Sequence, residues 1–253
     1  MSQTLQIILG LVSGVLYFGV LQWAFVPPKK RETVELFQPF DVIFGLMLSG
    51  LFAWLAFGLF TTEEKPFTVD AIWASLAMQG IIGAAVIGYV VMRHVSVQLF
   101  IGVTFLSWWK YMLIGIVLLL GISPFIMVLA NLHSDPGGEQ EAVKFFRGSA
   151  SLQSRLLLAF MAVIVAPVVE EMVFRGLLYR IFRGYFGKIS AMFFTSVLFA
   201  AIHGNLPMFL PLTLLACALA AGVEATGSLM VSIAMHATFN GLSIGLMLLE
   251  TPR

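Results

Sequence analysis

The sequence predicts an all-α fold, a polytopic transmembrane helix bundle of about eight spans. Of its 253 residues, 60% are hydrophobic and only 11% are charged, against roughly 25% charged in a soluble globular domain. Apolar runs of about 20 residues recur along the chain, which is the length a helix needs to cross a hydrocarbon layer about 30 Å thick. Lipid offers an open backbone no hydrogen-bond partner, so such runs are read as helices.

In chain order the expected spans are residues 5–26, 41–61, 71–92, 111–132, 155–179, 189–204, 207–224 and 229–249. The first lacks a basic n-region and a small-residue cleavage site, and it is longer than the apolar core of a signal peptide. It is therefore expected to stay in the mature protein. The stretch from Val95 to Trp109 is apolar but short. It reads either as an interfacial segment anchored by Trp108, Trp109 and Lys110 or as an extension of the fourth span. The longest polar stretch, His133 to Ser154, contains Asp135-Pro136-Gly137-Gly138. It divides residues 1–150, transmembrane helices of unassigned role with no buried acid expected, from residues 151–253, which hold nearly all the intramembrane polar chemistry.

Eight crossings fix which connections share a side of the membrane. One side receives Lys29, Lys30, Arg31, Arg93, Lys110, Arg180, Arg183 and Lys188; the other holds Lys65, Lys144, Arg147 and Arg253, with Arg155 at a span edge, and is richer in acids, with Glu63, Glu64, Asp70, Asp135, Glu139 and Glu141. The positive-inside rule then places both termini outside. The net charge of +1 provides none of the long-range field that nucleic acid demands, so no nucleic-acid partner is expected. Cys217 is the single cysteine; it excludes a disulfide framework and a cysteine metal site, and reads as a small core residue.

Three charges stand where an apolar helix should carry none. The fifth span runs Ala166-Pro167-Val168-Val169-Glu170-Glu171-Met172-Val173-Phe174-Arg175-Gly176. Three uncompensated charges at a bilayer centre would cost on the order of 8 kcal/mol on insertion scales. Glu171 and Arg175 stand at i and i+4, acid first, the favourable orientation for an ion pair. Glu170 is rotated about 100° away and lacks that partner. A buried carboxylate in excess is a candidate proton acceptor. The competing reading is one structural network of both glutamates and the arginine gluing helices together. Pro167, one turn earlier, frees a backbone carbonyl and permits a kink.

The sixth span ends Ser196-Val197-Leu198-Phe199-Ala200-Ala201-Ile202-His203, and the eighth contains His236-Ala237-Thr238-Phe239-Asn240. Phe199 and His203, like His236 and Asn240, are i and i+4 pairs that share a helix face. A lone intramembrane histidine is usually an interhelical hydrogen-bonding residue; two of them, an asparagine and a spare glutamate on three helices form a candidate site. Counting about 1.5 Å per residue from the inner ends, Glu170 lies about 20 Å in, His203 about 22 Å, Asn240 about 18 Å and His236 about 12 Å. All four fall in one layer.

These residues resemble the CPBP family of intramembrane proteases, which includes the type II CAAX prenyl endopeptidases. The motifs are E-E-x-x-x-R at Glu170, Glu171 and Arg175, F-x-x-x-H at Phe199 and His203, and H-x-x-x-N at His236 and Asn240. Phe174-Arg175-Gly176-Leu177, Phe186-Gly187 and Thr226-Gly227-Ser228-Leu229 extend the similarity over about residues 155–245. The resemblance implies a CAAX-protease-like catalytic core in residues 151–253, an integral membrane hydrolase with water as nucleophile. By position, Glu170 would activate water with help from His203, His236 and Asn240 would form an oxyanion hole, and Glu171, Arg175 and Phe199 would give structural support. A peptide or protein substrate, lipidated substrates included, and membrane lipids are the implied partners, and the cytoplasmic membrane of a prokaryote is the expected location. No cofactor is expected; the rival chemistry is a zinc ion held by Glu170, His203 and His236. The non-enzymatic alternative is a membrane partner or self-protection protein on the same fold.

Overall fold

The structure, a computed structural model, describes residues 37, 40–61, 67–103, 106–133, 141–148 and 151–250. The expected span at 5–26 and the orientation residues Lys29, Lys30, Arg31, Glu63, Glu64, Lys65, Asp135, Glu139 and Arg253 lie outside the described residues. Every regular element within them is helical: α1 (Phe40–Thr61), α2 (Val69–Met92), α3 (Val97–Ile101), α4 (Trp108–His133), α5 (Glu141–Arg147), α6 (Leu152–Phe160), α7 (Ala166–Glu171), α8 (Tyr179–Ala201), α9 (Phe209–Thr226) and α10 (Leu229–Glu250). Two π-helical turns, Met161–Val165 and Met172–Leu178, join α6 to α7 and α7 to α8.

Among the described residues six helical stretches are long and apolar enough to cross a membrane: Phe40–Gly58, Val69–Met92, Trp108–Leu132, Leu152–Ala201, Phe209–Thr226 and Leu229–Leu249. The fourth, 50 residues long, covers two expected spans. It breaks at Gly187, whose backbone (φ 76°, ψ 164°) is non-helical; a left-handed φ is open to glycine at no steric cost. The helix that carries the glutamates thus continues past the expected end at residue 179 to Phe186. Its length of about 50 Å at 1.5 Å per residue exceeds the hydrocarbon thickness of about 30 Å, and its excess end carries Arg180 and Arg183.

Local chemistry sets several boundaries. The hydroxyls of Thr68, Ser96 and Ser151 accept from the N–H groups of Ala71, Leu99 and Ser154, each at 3.2 Å, and so cap α2, α3 and α6. Among the described residues, the Val95–Trp109 stretch extends the fourth span only by its last two residues, Trp108 and Trp109. It forms the short α3, turns at the left-handed Gly102, and α4 then starts at Trp108, three residues before its expected beginning. The polar stretch after His133 contains α5.

The core sits in the C-terminal part. Val173, Phe174, Leu177, Leu178, Phe199 and Ala216 anchor one buried cluster; Tyr111, Leu119, Leu215, Leu219, Val231 and Met235 anchor a second, where α4, α9 and α10 meet. By contrast α1 turns Phe40, Met47, Trp54 and Phe57 outward, as a helix facing lipid does. The N-terminal half does hold one buried acid, against expectation. Asp41 accepts from the Tyr89 hydroxyl and from Arg93 Nη2 at 3.1 Å, tying α1 to the end of α2. The apolar sequence around Asp41 hid this contact because its partners lie some fifty residues on.

Candidate active site

The glutamates occupy α7, a six-residue α-helical segment held between the two π-turns. Such turns give one residue more per hydrogen-bonded ring and recur at functional sites. Pro167 is the second residue of α7. In the π-turn before it, the Ala166 N–H bonds to the Met161 carbonyl, five residues back. The same pattern would pair the Ala162 carbonyl with residue 167, a proline that has no N–H to give.

Glu171 and Arg175 are 0% and 1% exposed. Arg175 Nη1 donates to Glu171 Oε1 at 2.8 Å, and its Nη2 donates to the Ala216 carbonyl on α9 at 3.0 Å. The guanidinium also lies over the Phe199 ring, 4.5 Å from its centroid. Phe199, fully buried, meets the His236 ring at 5.6 Å and 73°, the Phe174 ring at 5.2 Å and 87° and the His203 ring at 4.6 Å. It is the apolar floor under both imidazoles.

The Glu171 oxygen that receives Arg175 also receives His236, whose Nδ1 lies 3.0 Å away on α10. His203 is placed differently from the expected helical position. Its residue lies in the turn beyond Ala201, the last residue of α8, and its Nδ1 is 2.6 Å from the Phe199 carbonyl. A carbonyl only accepts, so His203 carries its proton on Nδ1; the Glu171 carboxylate sets the same tautomer for His236. Both Nε2 atoms then face Glu170, whose Oε2 lies 4.0 Å from His203 and 3.9 Å from His236. That oxygen is buried and has no hydrogen-bond partner among the described residues. The Glu170 and His203 side chains are 19% and 25% exposed, so this corner of the buried cluster is the part a substrate can reach.

Asn240, one turn beyond His236, donates from Nδ2 to the Ala162 carbonyl at 2.8 Å. The structure therefore brings Glu170, His203 and His236 together from three segments far apart in sequence, and ties Asn240 to the π-turn ahead of the glutamates. The π-turns and the two carbonyls of Ala162 and Ala216 were not legible in the sequence. Only Pro167 hinted at them.

The spacing of the donor set bears on zinc. Metal-bound histidines do donate their other N–H to a carbonyl or carboxylate, as both do here. Tetrahedral bonds of about 2.0–2.1 Å, however, put ligand atoms about 3.3 Å apart, well inside the 3.9 and 4.0 Å found. Among the described residues no group of three His, Cys, Asp or Glu is arranged to hold a metal ion.

Comparison with known proteins bears on the same segment. Among curated proteins and solved structures, nothing matches. A family model does match, and residues 152–242, the stretch holding every site residue above, are similar to the type II CAAX prenyl endopeptidases, Rce1-like.

Proposed function

We propose that the protein is an intramembrane endopeptidase that hydrolyses peptide bonds with a water activated by Glu170. The observation that carries this reading is the convergence of two imidazole Nε2 atoms on one unpartnered carboxylate oxygen. Two acceptors 4.0 Å apart, Glu170 Oε2 and His203 Nε2, suit a water that donates one hydrogen to each at about 2.8 Å. The water oxygen attacks the scissile carbonyl carbon as Glu170 takes its proton. The developing oxyanion receives hydrogen bonds from Asn240 and from His236, which must then carry both ring protons, Nδ1–H on Glu171 and Nε2–H toward the substrate. The C–N bond breaks and Glu170 returns the proton to the leaving amine. Glu171, Arg175 and Phe199 support these groups.

In this reading the enzyme cuts peptides or proteins near the C-terminus of lipidated or membrane-associated substrates. In this reading the chain sits in the cytoplasmic membrane of a prokaryote with both termini outside. Residues 151–253 form the catalytic core and residues 1–150 accompany it.

The test is Glu170→Gln beside His203→Ala in purified protein and in cells. Each should lower turnover of a quenched fluorescent peptide bearing a prenylated cysteine by about 10²- to 10⁴-fold while leaving the protein folded and inserted. Comparative membrane proteomics of wild-type and Glu170→Gln cells should show proteins left uncut. Full biological function in both variants would favour the non-enzymatic partner. Stoichiometric zinc lost together with activity on chelation would overturn the metal-free chemistry.

A further inference from the structure

The Ala162 carbonyl is a backbone acceptor that its own helix cannot use. In the π register its donor would be residue 167, which is proline; in the α register its donor would be Ala166, whose N–H is spent on Met161. Backbone carbonyls inside a membrane protein need a donor, and the one present is Asn240 Nδ2 at 2.8 Å from α10. A carbonyl only accepts, so this contact also fixes which end of the amide is nitrogen. It leaves the second Nδ2–H pointing elsewhere.

We infer that Pro167 is a positioning residue for Asn240: by withholding a backbone N–H from Ala162, it keeps that carbonyl open as the seat of the asparagine amide. The inference rests on the endopeptidase reading, in which the second Asn240 N–H serves the oxyanion. Within that reading it assigns the proline a task beyond bending the helix. A helix kink needs no partner on α10. An orphan carbonyl held by one side chain does, and it aligns α10 against the helix of the glutamates at the depth of the reacting carbonyl.

The experiment restores the missing N–H with Pro167→Ala, and with Pro167→Leu as a second replacement. Turnover of the prenylated fluorescent peptide is measured against wild type, Asn240→Ala and the double variant Pro167→Ala/Asn240→Ala. Pro167→Ala should lower kcat about tenfold or more with KM unchanged and the thermal midpoint unchanged or raised, since a helix loses a proline. On the Asn240→Ala background the same substitution should do nothing further, because it acts through that amide. The Asn240 side-chain amide resonance, assigned by its loss in Asn240→Ala, should shift in Pro167→Ala whether or not the peptide is cut. Wild-type kcat in Pro167→Ala beside a slow Asn240→Ala, multiplicative losses, or an unmoved resonance would overturn the inference alone. Failure of both proline variants to fold would overturn it too, because it gives Pro167 no part in stability. If Asn240→Ala itself turns over normally, the oxyanion assignment of the endopeptidase reading fails instead.

Discussion

Glu171 Oε1 receives Arg175 and His236 at 2.8 and 3.0 Å, so one carboxylate neutralises a buried cation and orients an imidazole. The two roles separate by substitution. Removing one member of a buried ion pair strands the other charge at a cost of about 3–5 kcal/mol, whereas replacing both by apolar residues of similar size is often neutral. Glu171→Met alone should therefore lower the thermal midpoint sharply, and Glu171→Met/Arg175→Met should recover most of it. The double variant should still turn over slowly, because His236 loses the acceptor that sets its tautomer. Detergent-solubilised melting curves with turnover on the same samples check both halves. Recovery of full activity in the double variant would reduce Glu171 to a helix lock.

Among the elements, α10 reaches the site only because α4 lets it come close. A Cβ added at Gly115 would stand 2.4 Å from the Val231 carbonyl oxygen and 2.7 Å from the Ala234 Cβ. Both belong to the α10 turn just before His236. Small residues that let backbones approach are the usual means of packing helices where lipid competes for apolar contact. Gly115→Ala should cost about 1–3 kcal/mol, as overpacking does. It should also lower turnover, since a displaced α10 carries His236 and Asn240 with it. A thermal melt and a rate measurement suffice; an unchanged midpoint would mean that α4 yields without strain. At the far end of the same bundle, Arg183 and Tyr179 close on Glu224 of α9 at 2.7–2.8 Å, and Arg180 donates to the Phe100 carbonyl at 2.7 Å.

For the molecule as a whole, the apolar helices and the family match make it an integral membrane protein. The remaining question is its sidedness. In a Cys217→Ala background, Lys188→Cys should react with an impermeant maleimide only after the membrane is opened, and Ser151→Cys should react without opening it. The reverse pattern would place the basic connections outside and overturn the proposed orientation.

Fold class and most of the spans were legible because lipid imposes one rule on every crossing segment: about 20 apolar residues with the backbone bonded to itself. The Glu171–Arg175 pair was legible for a similar reason, since i and i+4 are neighbours on any helix. Asp41 escaped because its partners come from another helix, and His203 was read onto α8 although it lies in the turn beyond. The two π-turns were invisible: a single added residue per turn leaves no periodic trace, and Pro167 marked only their neighbourhood. By itself the sequence determined that a few polar residues must share a layer in an apolar bundle. Only the tertiary structure decided which nitrogen of each histidine faces Glu170, and that Asn240 closes on the Ala162 carbonyl. Those choices depend on where acceptors from other helices stand, and hydrogen-bond geometry across helices is set by packing, not by spacing along one chain segment.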